Sequence, residues 1–368
     1  MTTSTAPVDP QPLTTKTRCE NAPTVPPVRL ALNESSIPPP AAVLDAFLRT
    51  GQTPHRYPEP FSETLVAAIA SQLGVAADHV FVGAGSMGIL QDLIRLLAAG
   101  GEVVYPWRSF EAYPLLADNA PATSIALPLR PDGRCDLAAL AGSCNDATRM
   151  IILSNPNNPT GTIVEKGEID WLLERVPATV TIVLDEAYRD FADPDRIQDG
   201  LDLLRRQDNV VALRTFSKSY ALAGLRVAFS VSTPALAEKL RSTSFPYRVN
   251  APAQAAALAA LNEHEWLRQH CAVVRRERIR LTDGLRRQGW TVWPSQANFV
   301  WLDAGAYATR IGQTLASVGI TVRIFPDEGV RITIAEGEIN DRVLAAVASC
   351  APGQLGSPDR MLQRKVEQ

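Results

Sequence analysis

From Tyr57 to about Arg248, short apolar runs alternate with stretches in which apolar residues recur every three or four positions. Ser62 to Leu73 carries the helical spacing behind a serine suited to cap it, and Met87 to Leu97 carries it again. The runs at Val80 to Val82, Glu102 to Tyr105, Thr123 to Leu127, Met150 to Leu153, Val180 to Leu184, Val210 to Leu213 and Val227 to Val231 predict strands. Most do not alternate with polar residues, which predicts strands buried on both faces. Strands interleaved with helices predict an α/β fold with a mixed, mostly parallel sheet between helices. After Pro252 the texture changes. An Ala-rich helix over Ala253 to Leu261 leads into a long Arg-rich amphipathic helix. Short strands at Trp290 to Trp293, Asn298 to Leu302, Thr321 to Ile324 and Val330 to Ile334 follow, then a helix around Asn340 to Ala348. This predicts a smaller α+β domain.

The length of 368 residues exceeds the usual single-domain size, in keeping with two domains. The expected division is a large domain over 57–248 and a discontinuous small domain from 29–56 and 249–350. Residues 1–28 are rich in Thr and Pro and read as a flexible N-terminal arm, and 351–368 read as a loosely held tail. The balance of 36 basic and 39 acidic residues leaves no basic stripe for nucleic acid or an anionic membrane. The five cysteines are scattered without a C-x-x-C pair, which reads as reduced cytoplasmic thiols and neither a disulfide frame nor a metal site. No basic region followed by an apolar core marks a signal peptide, and no apolar run approaches the ~20 residues that span a bilayer.

Lysine is scarce: Lys16, Lys166, Lys218, Lys239 and Lys365 are the five in the chain. Lys218 lies between two apolar runs, flanked by Thr215, Ser217 and Ser219. Carbonyl chemistry needs an amine able to lose its proton, which a guanidinium does not provide. Upstream, the run ending in Leu184 closes on Asp185, Glu186, Ala187 and Tyr188. Asp185 reads either as a helix N-cap or as a carboxylate that favours protonation of a heterocyclic nitrogen. Gly83 to Met87 follows a strand and opens a helix, a turn able to cradle an anion. The string Ser154 to Thr162, S-N-P-N-N-P-T-G-T, fixes an irregular backbone and offers rigidly held amides.

The order G-x-G-S, S-N-P-N-N-P-T-G, D-E-A-Y, S-K-x-x-x-L-A-G-L-R and a late R-I-T-I resembles that of fold-type I, pyridoxal-phosphate-dependent aminotransferases of class I/II. The resemblance covers about residues 29–349. Within that group the chain is similar to the histidinol-phosphate aminotransferases, and more so to the aromatic-amino-acid (phenylalanine) aminotransferases, through Tyr105 to Pro114, Leu213 to Lys218 and Gln296 to Leu302. The resemblance implies that Lys218 is the Schiff-base lysine and Asp185 the partner of the pyridinium nitrogen. It implies that Tyr188 and Asn158 bond the cofactor's phenolic oxygen, while Ala187 and Phe110 cover the two ring faces. Ser86, the amide of Met87, Thr215, Ser217 and Arg226 match the phosphate cradle. Tyr57 resembles the tyrosine that reaches a neighbouring subunit's phosphate, which implies a homodimer. Arg331 resembles the arginine that clamps the substrate α-carboxylate. Arg323 reads either as a surface charge or as a second substrate contact.

Several positions depart from the family pattern. Met87-Gly88 stands where many relatives have Asp-Glu, and Phe110 where histidinol-phosphate enzymes have tyrosine. Leu32 to Ser36 keeps only part of an Asn-Glu-Asn-Pro motif. The implied reaction is transamination of an aromatic amino acid with 2-oxoglutarate as acceptor. Histidinol phosphate, a specialised-metabolism amino acid, or decarboxylation on the same residues are the alternatives.

Overall fold

The computed structural model describes residues 27–350, so the expected tail and nearly all of the expected arm lie outside the described residues. Among the described residues, twelve strands form two sheets. The first and larger joins β2 (Val80–Gly83), β3 (Glu102–Trp107), β4 (Thr123–Pro128), β5 (Thr148–Ser154), β6 (Thr181–Asp185), β7 (Val210–Thr215) and β8 (Ala228–Val231), in the order β2-β8-β7-β6-β5-β3-β4. The strands from β4 to β7 run parallel, and β8 is antiparallel to both its neighbours. The second sheet, β1-β11-β12-β10-β9, joins β1 (Val28–Leu30), β9 (Thr291–Val292), β10 (Phe299–Asp303), β11 (Ile320–Phe325) and β12 (Gly329–Thr333).

The non-alternating runs are explained by their packing. Met150 and Ile152 face one core with Val103, Val183 and Ile89, while Ile151 and Leu153 face another with Val104, Ile182 and Leu184. Each such side chain fully removed from water contributes roughly 1.5–3 kcal/mol of transfer free energy. A third core on the β8 side gathers Val80, Phe216, Phe229 and Val231 with helix Ala251–Leu261. The five-stranded sheet has a core of its own, in which Phe299, Val300 and Ile332 meet the long helix His264–Arg287.

The sequence pattern missed α1 (Ala41–Gly51), because Val43 alone on it is buried while Leu44 and Leu48 stand exposed. It lies along helix Ala251–Leu261, and Val43 enters the core beside the larger sheet. Val28, expected at the end of the arm, opens β1 and pairs with Ile320. Helix α2 (Glu63–Leu73) and α3 (Gly85–Leu97) form where expected, and α4 (Ala112–Asp118) is added after β3. No helix among the described residues is long and apolar enough to cross a membrane.

Candidate active site

Ser154, Asp185 and Thr215 close the parallel strands β5, β6 and β7, with Ser154 opposite Asp185 in register. Their carboxyl ends share one edge of the sheet, where open α/β sheets place their ligands. No α-helix begins at Asp185, so it does not cap one: the chain turns there, and Oδ1 accepts the Ala187 amide at 3.2 Å. Oδ2 accepts the Tyr113 hydroxyl at 2.9 Å. Burial raises the Asp185 pKa, against the pull of these two hydrogen bonds. The carboxylate has no salt-bridge partner among the described residues. It therefore fits a protonated ring nitrogen brought in by a ligand.

Lys218 sits three residues past the end of β7, and protein crowds around its amine. Burial, and then the charge of Arg331, lower its pKa from 10.5 to about 7. Nζ donates to the Leu32 carbonyl at 3.0 Å and lies 5.7 Å from the centre of the Tyr188 ring. Tyr188 is buried edge-on to Phe299 of β10, at 5.0 Å between centroids, and its hydroxyl accepts Asn33 Nδ2 at 3.0 Å. Tyr188 thus joins the larger sheet's loop to the smaller sheet's core.

Arg226, in the left-handed region with φ 55°, turns its guanidinium back towards Ser217 Oγ at 3.3 Å. Thr215 donates to Ser217 at 2.9 Å. A side chain at Gly85 would collide with the Arg226 guanidinium, which explains the glycine that opens α3. No side chain caps α3, so its first amides are left without a capping side chain beside this arginine, and the Met87 side chain packs against the core. Arg226 has no carboxylate partner among the described residues. The group fits a phosphate: free helix amides, Ser86, two hydroxyls and an uncompensated cation.

The nine-residue loop divides its labour. Asn155 exchanges two hydrogen bonds with the Val164 backbone, each 3.0 Å. Asn157 accepts from Ser109 at 2.7 Å and donates to the Arg108 carbonyl at 3.1 Å. Those two hold the loop. Asn158 faces the site, where its side-chain oxygen accepts from Arg331. Arg331, on β12, is buried, and its Nη2 donates to the Ala31 carbonyl at 2.5 Å. Its Nε is buried without a partner, an orphaned donor suited to a carboxylate. Arg323 is no free surface charge: it pairs with Glu111 at 2.7 Å.

The structure thus brings Lys218, Asp185, Ala187, Tyr188, Asn158 and Arg331 together, with Ser86, Met87, Thr215, Ser217 and Arg226 beside them. Phe110 is half-buried, edge-on to Tyr113 at 5.7 Å. Tyr57 stands apart, 84% exposed and packed on Tyr247. Sequence reading missed Tyr113, Asn33 and Glu111. Tyr113 follows Phe110 by three positions in a stretch already singled out, and that spacing was the available signal. Also missed was the ionic layer behind Asp185. There Arg214 donates to Glu186 at 2.7 Å and to Asp199 at 2.6 Å, and Arg189 donates to Asp199 at 2.7 Å.

A strand-end carboxylate, a lysine of depressed pKa, an anion cradle and a buried arginine, on this two-sheet architecture, define a fold-type I α/β enzyme. The chain belongs to the aminotransferase class I and II family, whose profile matches residues 25–346. It is 44% identical over 327 residues to an aromatic amino acid aminotransferase of Cutibacterium acnes, covering 89% of this chain and 93% of that one. A relative of the same description in Thermobifida fusca is 45% identical, over 86% and 88% of the two chains. Among solved structures, the histidinol-phosphate aminotransferase of Sinorhizobium meliloti in complex with pyridoxal-5'-phosphate superposes with a TM-score of 0.83. It is 28% identical, over 89% of this chain and 92% of that one.

Proposed function

We propose that the protein transfers the amino group of an aromatic amino acid to a 2-oxo acid, with 2-oxoglutarate as acceptor and pyridoxal 5'-phosphate as cofactor. The observation that carries this reading is geometric: the buried Asp185 carboxylate has no salt-bridge partner among the described residues, and Lys218, Arg226 and Arg331 stand around the same strand ends. Relatives named aromatic amino acid aminotransferases, 42–45% identical, support the choice of donor.

Pyridoxal phosphate, when bound, supplies a ring that accepts the electrons of the substrate's Cα–H bond. The rest falls to the chain. Arg226, Ser217, Thr215, Ser86 and the Met87 amide hold the phosphate. Asp185 would face the ring nitrogen and favour its protonation, and the hydrogen bonds from Tyr113 and the Ala187 amide favour the Asp185 carboxylate against its burial. Phe110 and Ala187 would pack against the bound ring, and Tyr188 and Asn158 would offer it hydrogen bonds. Arg331 takes the substrate carboxylate with its fork. Lys218 Nζ would hold the cofactor at rest and, when free, would take up and give back the proton of the substrate's Cα. An amine of pKa near 7 suits both directions of that transfer.

Further parts of this reading are a cytoplasmic homodimer in which Tyr57 serves the partner's phosphate, and a large and a small domain centred on the two sheets. The exposure of Tyr57 supports the sharing. Mixing Tyr57→Phe with Lys218→Ala subunits should restore one intact site per hybrid; no regained activity would remove the sharing. For the donor, a panel of amino acids is scored by loss of the cofactor's visible absorbance and its return with 2-oxoglutarate. Phenylalanine, tyrosine and tryptophan should lead it. A lead by histidinol phosphate, or carbon dioxide release without an oxo acid, would overturn the reading.

A further inference from the structure

Arg323 and Arg331 lie directly opposite one another on β11 and β12, so both side chains leave the same face of the hairpin. Their surroundings differ by one carboxylate. Arg331 meets Asn158 and a backbone carbonyl, both neutral. Arg323 is gripped by Glu111, with Nη2 at 2.7 Å and Nε at 3.3 Å from its two oxygens. Glu111 comes from across the site, between Phe110 and α4. The pair is half-buried, 20% and 26% exposed, and Phe325 lies 5.6 Å from the Arg323 guanidinium. Two guanidiniums and one carboxylate leave a single positive charge. The influence reaches Arg331: burial lowers its pKa most, Arg323 lowers it further, and Tyr188 and Glu111 raise it.

We infer that Glu111 determines specificity: by neutralising Arg323, it sets the anion end of the site to accept a carboxylate and to refuse a phosphate monoester. A carboxylate carries one charge and is matched by one fork, that of Arg331. A phosphate monoester carries about −1.5 to −2 at pH 7 with three acceptor oxygens, and would draw on both arginines. To do so it must displace Glu111 or bind against it, and like charges juxtaposed are strongly unfavourable. The inference rests on the reading of Arg331 as the partner of the substrate carboxylate.

The test is calorimetric binding of two inert probes, 3-phenylpropanoate and 2-phenylethyl phosphate, to the cofactor-loaded protein. Glu111→Gln should bind the phosphate at least about tenfold tighter, about 1.4 kcal/mol, with the carboxylate changed by less than about threefold. Glu111→Asp, which keeps the charge, should behave as the natural protein does. Adding Arg323→Gln to Glu111→Gln should abolish the gain. Equal tightening of both probes, tightening of neither, or a gain that survives loss of Arg323 would overturn the inference. Glu111→Ala carries the same expectation and guards against a fold-specific effect of glutamine. If no aromatic amino acid is turned over while the phosphate gain persists, the transamination reading falls and the role of Glu111 stands.

Discussion

The two ends of the site are built in opposite ways. The Lys218 and Asp185 end sits on adjacent parallel strands, β6 and β7, buried on both faces. Its reactive groups are fixed by the backbone, and its charges have no ionic partner among the described residues: Asp185 accepts from a hydroxyl and an amide, and Arg226 donates to a hydroxyl and a backbone carbonyl. The Arg323 and Arg331 end sits on a hairpin of the smaller sheet and is assembled from chain segments far apart in sequence, at 31–33, 111 and 158. There one charge is already compensated. On the proposed reading the contrast separates two tasks: charges without ionic partners at strand ends would serve the chemistry, and a partly compensated pair would set which anion is admitted.

The contrast is broken most directly at Lys218. Lys218→Ala should lose about 10⁴-fold or more in turnover while folding normally, measured by steady-state rates beside circular dichroism. A variant that still transaminates would move the chemistry elsewhere. Next in size, Arg331→Lys keeps the charge and loses the fork. It should lose about a hundredfold in kcat/KM, mainly through KM, because a buried charge-pairing group is worth about 2–5 kcal/mol. An effect confined to kcat would mean that Arg331 serves the chemistry, and the division of tasks would fail.

The pH dependence sharpens the comparison further. Lys218 has a pKa of about 7 against an ordinary 10.5, so the folded apoprotein binds fewer protons than the unfolded chain between those values. Its contribution to stability therefore rises with pH across that window. The neutral amine is the form that captures the cofactor. Capture, followed by absorbance, should rise about tenfold per pH unit below 7 and level off above it. A rate still climbing beyond pH 9 would mean an amine like any surface lysine. The smallest effect is expected from Tyr113→Phe, which removes one hydrogen bond from Asp185 and should lower kcat about three- to tenfold. If it exceeded Arg331→Lys, Tyr113 would be more than a support.

The same contrast explains what was legible in the sequence. Strands buried on both faces announce themselves as unbroken apolar runs, so β5, β6 and β7 and the residues closing them were readable, Asp185 above all. Scarcity of lysine and an apolar setting marked Lys218 as a candidate amine, and the order of motifs around it suggested its role. Glu111 carried no such mark: a lone glutamate before a short helix looks like any solvated charge. Its partner lies 212 positions away, and only the folded hairpin joins them. Asn33 sits in a segment with no periodicity, yet it is buried and bonds both Tyr188 and Thr333. Helix α1 escaped because one buried valine makes no periodic stripe.

Ala31, Leu32 and Asn33 have a consequence of their own. Their backbone and side-chain atoms answer Arg331, Lys218 and Tyr188 in turn. A ligand that took up the Lys218 amine and the Arg331 fork would have to replace these contacts, and its affinity would be the difference between two sets of contacts. Such a stretch acts as a common brake. Loosening it raises the affinity of every ligand by one factor, tightening it lowers them all alike, and the order of preference among them is untouched. Ala31, Leu32 and Asn33 would then set how firmly substrates are held while leaving the choice among them to other residues.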